Sequence, residues 1–423
     1  MNEEAFGQTD WTSRFVSIVR HASLQSDGQQ TYDWTIDPCS RARAELRCAR
    51  GWLRVPLAAQ VEGVILYELS ALGFGPFFEQ QLQSSDGDKV IPARIAAEHR
   101  GAYEVWSTTG SGSARLAGRL RLELEDAACP GVGDWVVVKN DPGPGRTTVI
   151  ERVLARRTVF TRGAAGREAR AQVVAANVDL VFAVCGLDAD FNVRRIERYL
   201  VRIWASGAQP AVILNKVDLC DDLAGRIAEV KSHCVGVPVY VTSALHSEGL
   251  EAVRACIHDG LTVALVGSSG AGKSTLVNAL LGEARMRTGV VRASDGRGCH
   301  VTTHRQLVLL PGGGLMLDTP GMRELQLVDD DGLGTVFVDI AALADRCRFR
   351  DCLHDTEPGC AVKAAVASGE LDSERFEHYR KLDREAQAYK LRHDVRKRRQ
   401  AEKVWGQLSD EVAQLRKWKG GKP

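Results

Sequence analysis

The order of two short stretches constrains this chain more than anything else in it. Asn215-Lys216-Val217-Asp218 comes first, and Gly267-Ser268-Ser269-Gly270-Ala271-Gly272-Lys273-Ser274-Thr275 comes second. The second stretch has the full GxxxxGK[ST] spacing, succeeds an apolar run (Val263 to Val266) and opens a helical pattern predicted over Thr275 to Leu281. Its glycines let backbone N–H groups turn onto phosphates, and the helix N-terminus adds a favourable dipole. Lys273 is then placed on the β/γ-phosphates and the Ser274 hydroxyl on Mg²⁺.

A phosphate cradle alone leaves the base open. Asp218 offers a carboxylate that can accept from both N1–H and the exocyclic amine of guanine. Adenine has no such donor pair, and buried acceptors left unpaired reject it. Ser243-Ala244, ending the apolar run "VPVYVTSA", suits a backbone N–H contact to the guanine oxygen. The sequence therefore predicts GTP and GDP as ligands. An ATP-dependent kinase, which would tolerate adenine, is the reading this pairing argues against.

Asp318-Thr319-Pro320-Gly321 closes the run "GLMLD". It supplies a carboxylate that reaches Mg²⁺ through water and a glycine N–H for the γ-phosphate. Upstream, "GRGCHVTTHR" offers Thr302 and Thr303 as the hydroxyl that completes the metal shell, with Thr303 preferred. Met322 comes after Gly321, where Ras-like switches carry a water-orienting glutamine. A thioether cannot orient water, so His304 and His300 become the candidates for that task, and slow intrinsic hydrolysis stimulated by a partner is expected. Base reader, Ser-Ala, cradle, switch Thr and DTPG are all present, but in circularly permuted order. The chain beyond Gly321 is thereby tied to the segment that moves when the γ-phosphate leaves.

That C-terminal region is rich in cysteine. Cys347, Cys352, His354 and Cys360 give three thiolates and one imidazole in a polar stretch, the ligand set of a closed structural zinc site. The 11 cysteines in 423 residues are otherwise scattered, which argues for reduced thiols. Beyond them, residues 373–423 hold 15 Lys or Arg against 8 Asp or Glu, in a chain whose net charge is +1. This tail, with its Arg396-Lys397-Arg398-Arg399 cluster, points to a polyanion, and RNA is the expected one.

Short strand-like runs with Gly/Pro turns fill Lys89 to Arg157: "KVIPARIAAEHRG", "AYEVWSTTG", "RLAGRLRLELE", "GDWVVVK" and "TTVIERVLAR". They predict a small five-stranded barrel of OB type. From Ala171, buried apolar runs alternate with amphipathic helices such as "RRIERYLVRIWASG", the pattern of a parallel sheet covered on both faces. No apolar run approaches the ~20 residues of a membrane span, and "MNEEAFGQTDW" is no secretory signal, so a cytoplasmic protein that meets no membrane is expected.

Taken together, "PGVGDWV", "QVVAANVD", "NKVDL", "GSSGAGKSTLVNAL", "GRGCHVTTHRQL", "DTPGMREL" and "CRFRDCLHDTEPGCAV" resemble the RsgA (YjeQ) family of small-subunit-dependent, circularly permuted GTPases, from about Leu66 to Gln400. The resemblance implies an OB domain, a permuted GTPase domain and a zinc domain. It further implies a role in late maturation of the small ribosomal subunit, with the subunit and its rRNA as partners, hydrolysis triggered by the subunit, and release after it. Cys299 and Val301 depart from the family's "RHTTTHR"-like switch loop, and both Thr302 and Thr303 stay open as the Mg²⁺ ligand. The expected organisation is a flexible extension (1–63), a barrel (64–160), a permuted GTPase domain (171–330) and a helical zinc-binding domain with a basic C-terminal helix (331–423), acting as a monomer. The rival function is a regulatory RNA- or ribosome-binding module that holds GTP with negligible turnover.

Overall fold

The computed structural model describes residues 45–48, 51–54, 58–61, 64–82, 91–99, 101–123, 129–140, 142–143, 145–163, 171–282, 305–318 and 332–388. Two hairpins lead the chain, β1 (Glu45–Cys48) with β2 (Gly51–Arg54) and β3 (Ala58–Val61) with β4 (Val64–Tyr67). Three of these strands lie within the segment expected to be an extension, and the second hairpin straddles its expected end.

After the short helix α1 (Pro76–Glu79) come β5 (Ile91–His99), β6 (Ala102–Ser107), β7 (Gly110–Leu116), β8 (Trp135–Val138) and β9 (Thr147–Val153). Their pairing runs β5-β6-β7-β9-β8 and returns from β8 to β5, a closed barrel with a parallel step only between β7 and β9. Inward positions Ala93, Ile95, Val105, Ala114, Val136, Val138 and Ile150 fill it. This is the OB-fold expected.

One strand of the barrel differs from its sequence expectation. "RLAGRLRLELE" is not a strand: only Arg115 and Leu116 end β7, and Gly118–Glu123 form helix α2. The strand comes instead from "GSGSARL", which reads as a turn because it is rich in glycine and serine. Gly112 explains that composition, since a Cβ there would lie 1.5 Å from the Pro142 carbonyl oxygen. Leu116 and Leu120, four residues apart, both pack on the barrel core, so the leucine spacing serves a helix as well as a strand.

A hairpin of β10 (Val159–Gly163) and β11 (Ala171–Ala176) leads out of the barrel. The next sheet contains β12 (Leu180–Gly186), β13 (Gln209–Asn215), β14 (Val239–Thr242), β15 (Thr262–Gly267), β16 (Gln306–Leu309) and β17 (Leu315–Asp318). Their order is β14-β13-β12-β15-β17-β16, all parallel except β16. β16, a strand with no motif of its own, pairs onward to β5 at Gln306 and Ala97, so barrel and sheet share one eleven-stranded ladder.

Helices cover both faces of the parallel part. Val181, Ala183, Val212 and Leu214 point toward Ile196, Leu200 and Ile203 of α3 (Val193–Ala205). Phe182, Val184, Ala211 and Ile213 point the other way, toward α5 (Leu250–Ala255) and α6 (Lys273–Leu281). Burial on both sides is why these strands are continuously apolar. Helix α4 (Leu223–His233) lies beside α3.

The C-terminal part is helical: α7 (Leu333–Val336), α8 (Val338–Ala344), α9 (Ala361–Ser368) and α10 (residues 373–388). Phe337, Ile340, Val362 and Leu382 join the same core as α3. Among the described residues no helix is long and apolar enough to cross a membrane.

Candidate functional site

The site lies at the carboxyl ends of the parallel strands, where ligands of open α/β sheets bind. β15 ends in the cradle. Gly267 packs so closely on β12 that a Cβ, at φ +153°, would stand 2.3 Å from the Val184 carbonyl oxygen. The Lys273 ammonium is held at the loop mouth by the carbonyls of Gly267 (2.9 Å) and Ser268 (2.5 Å). Gly272 caps α6 at φ +90°, which puts Lys273, Ser274 and Thr275 on the first helical turn.

Asn215 ends β13 and joins the expected base-reading stretch to the expected phosphate cradle. Its Nδ2 donates to the Ala271 carbonyl at 3.0 Å, and its Oδ1 accepts from Ala244 N at 3.0 Å and Thr242 Oγ1 at 3.1 Å. Asn215, Thr242 and Ser243 are all buried. The Ser243 hydroxyl donates to Asp218 Oδ1 at 2.5 Å and is the first cause holding that carboxyl below the usual range, so Asp218 stays an ionised acceptor. Distant stretches thus converge: Asn215, Asp218, Ser243, Ala244 and the cradle from Gly267 to Thr275 form one cluster.

Other expected site residues, Thr302, Thr303, His300, His304, Gly321 and Met322, lie outside the described residues, as do Cys299, Val301 and the Arg396 to Arg399 cluster. For Asp318 only the backbone is described, as the last residue of β17 beside β15.

Three contributors belong to no sequence motif. Thr242 orients Asn215. Asp188 Oδ2 accepts from Lys216 Nζ at 2.5 Å, and Asp190 Oδ2 accepts from Ser268 Oγ at 2.6 Å. The one signal for the two aspartates is their place, directly after an apolar strand at the carboxyl edge of a parallel sheet.

A second constellation sits in the C-terminal part. The ligand atoms of Cys347, Cys352, His354 and Cys360 all lie within 4.8 Å of one another. Cys347 Sγ is 3.9 Å from Cys360 Sγ and 3.7 Å from His354 Nδ1, and Cys360 Sγ is 3.4 Å from the same nitrogen. A tetrahedral ion with thiolates at about 2.3 Å and imidazole near about 2.05 Å requires edges of about 3.8 Å (S···S) and about 3.5 Å (S···N). The residues fit such a metal. Cys360 also caps α9, its sulfur accepting from Lys363 N at 3.4 Å. Burial holds the His354 imidazole below its usual pKa, in the neutral form a metal needs. Glu357 gathers the loop between, accepting from Leu353 N (3.0 Å) and Asp355 N (2.8 Å).

These features agree with comparisons to known proteins. A family model described as RsgA GTPase matches residues 153–328. The small ribosomal subunit biogenesis GTPase RsgA of Opitutus terrae is 50% identical over 334 residues, covering 77% of this chain and 91% of that one. The protein of the same name from Xylella fastidiosa is 48% identical over 331 residues, covering 76% and 95%. Among solved structures, YjeQ from Thermotoga maritima superposes with a TM-score of 0.52 at 28% identity, covering 69% of this chain and 97% of its own. YloQ, described as a circularly permuted GTPase, gives 0.51 at 24% identity over 74% and 99%, which speaks to the fold. With the motifs in permuted order and half of all aligned positions identical along nearly the full length of a relative, the chain belongs to the RsgA family of circularly permuted GTPases.

Proposed function

We propose that this GTPase acts in late maturation of the small ribosomal subunit, binding the subunit and its rRNA, and that the subunit stimulates hydrolysis and is released after it. The observation that supports the reading is the Asn215 Nδ2 to Ala271 carbonyl bond, which ties the end of β13 to the loop after β15. Asp218 reads the guanine edge, Ala244 N–H faces the base oxygen, and Lys273 with the cradle N–H groups holds the phosphates. The names of the relatives support the assignment to the small subunit.

Ser274, Asp318 and either Thr303 or Thr302 are the residues that would hold Mg²⁺, whose chemistry is to neutralise charge on the β- and γ-oxygens. Cys347, Cys352, His354 and Cys360 would hold one zinc ion, which would rigidify the helical C-terminal unit. His304 or His300 takes the water-positioning task, and Gly321 N–H meets the γ-phosphate. In this reading the chain is a cytoplasmic monomer of barrel (64–160), permuted GTPase (171–330) and zinc unit (331–423), with the basic tail on RNA. The second switch couples nucleotide state to the zinc unit next to it in the chain.

The test is GTP hydrolysis with and without isolated small subunits. Stimulation supports the proposal; bound GTP with no turnover under either condition makes the protein a GTP-holding binding module instead.

A further inference from the structure

The loop between β12 and α3, residues 187–192, touches both ends of the nucleotide site. In the sheet, β12 lies between the strand that ends in the base reader and the strand that ends in the cradle. The loop is fixed from below and behind. Leu187 N donates to the Asn215 carbonyl at 2.8 Å, and Asn192 caps α3 by accepting from Arg195 N at 3.0 Å. The Phe191 ring is covered by the Arg226 guanidinium, 4.6 Å from its centroid.

On this frame the two carboxylates bond different parts of the site. Asp188 Oδ2 takes the Lys216 ammonium at 2.5 Å, while its Oδ1 accepts from Asp190 N at 3.1 Å. Lys216 sits between Asn215 and Asp218 with a left-handed backbone (φ +66°), and its ammonium is bonded to Asp188 on the loop after β12. The Lys216 ammonium is thus tied to the loop after β12 beside Asp218, the residue proposed to read the base. Asp190 Oδ2 takes Ser268 Oγ at 2.6 Å, and its Oδ1 is bonded by Arg195 Nη2 at 2.8 Å. One short loop therefore sets the Lys216 side chain at the nucleoside end and the first turn of the cradle at the phosphate end.

We propose that Asp188 and Asp190 are positioning residues of the GTP site, Asp188 fixing Lys216 against the guanosine and Asp190 fixing Ser268 and the cradle against the phosphates. This inference rests on the nucleotide-site reading above and adds residues that act through others. Charge-assisted hydrogen bonds of this kind are strong enough to change affinity about tenfold when their charge is removed.

The experiment is a binding series on the full chain, with fluorescent GDP and GTP as probes and guanosine as competitor. Asp188→Asn should weaken guanosine, GDP and GTP alike, about tenfold, and the loss should disappear when Lys216→Gln is already present. Asp190→Asn should weaken GDP and GTP while leaving guanosine competition unchanged, and should not add to Ser268→Ala. Asp188→Glu, which keeps the charge, should recover most of the affinity. The nucleotide-free melting temperature should stay constant through the series.

Wild-type affinities in both Asn variants, or equal losses of guanosine and GDP in both with additive pairs, would overturn the inference. Lys273→Ala separates the two levels. If it binds GDP as well as wild type does, the nucleotide-site reading itself fails. If it loses GDP while Asp188→Asn and Asp190→Asn do not, only the inference falls.

Discussion

Glu197 on α3 and His378 on α10 share a hydrogen bond of 2.7 Å across 181 residues of sequence. The carboxylate is fully buried and also takes His233 Nδ1 at 3.0 Å and the Arg375 guanidinium. Arg375 reaches on to both carboxylate oxygens of Asp339 at 2.7 and 3.0 Å. Arg198 to Glu385, at 2.8 Å, ties the same two helices. A helix of the nucleotide-binding sheet is thereby bolted to the last described helix.

That bolt predicts a pH dependence. Burial alone would raise the Glu197 carboxyl, but the bonds from His233 and His378 and the Arg375 charge bring it down to about 2 from a usual 4.5. A carboxyl depressed on folding contributes stability that is complete above about pH 4.5 and is lost as pH falls toward about 2. Glu197→Gln should flatten this acid limb and, by leaving Arg375 without its buried partner, cost about 3 kcal/mol or more at neutral pH. Thermal unfolding from about pH 3 to about pH 7 measures both. An acid limb unchanged in the variant would show that another group sets it.

Gly272 has no room for a side chain. A Cβ there would lie 2.2 Å from Asn215 Nδ2, on a backbone at φ +90°. Gly272→Ala should push Asn215 off the Ala271 carbonyl and separate base reader from cradle. A GTP affinity loss of about tenfold or more is expected, read by equilibrium titration. Unchanged affinity would mean that the Asn215 bridge plays no part in binding.

Asp218→Asn exchanges an acceptor for a donor where Asp218 is proposed to meet the guanine edge. Preference should pass from guanine to xanthine nucleotides, in which the exocyclic donor becomes an acceptor. Competition between GTP and XTP measures it. If GTP still wins by the wild-type margin, Asp218 does not touch the base.

Removing the metal should unfold one region and spare another. Chelation should lower the helix content contributed by residues 332–388, while nucleotide binding by the parallel sheet persists. Metal analysis should find about one zinc per chain before treatment. Circular dichroism unchanged after complete metal loss would mean that the Cys/His set is not structural.

Three strands of the parallel sheet, β13, β15 and β17, are legible in the sequence because each is an apolar run that ends directly in chemistry: "VILN", "ALVG", "MLD". The cysteine cluster is legible because its ligands are close in sequence. The barrel is harder. β7 hides in "GSGSARL", where close backbone approach at Gly112 demands a residue type that also signals turns. Asp188 and Asp190 are invisible for another reason. An aspartate after a strand is ordinary until the fold shows that its neighbours are Lys216 and Ser268. Glu197 gives no signal either, since its partners come from α4 and α10.

The strand order has a consequence for how the molecule is made. Translation delivers β12, β13 and β14 as a contiguous set, and these can pair as neighbours at once. The other edge of β12 then waits bare until β15 arrives with the cradle, and an exposed apolar edge is a hazard to a nascent chain. Ribosomal synthesis thus builds the half proposed to read the base before the half proposed to grip the phosphates, the reverse of an unpermuted relative. An incomplete chain ending before Thr262 would carry the base-reading motif with no place to hold a triphosphate.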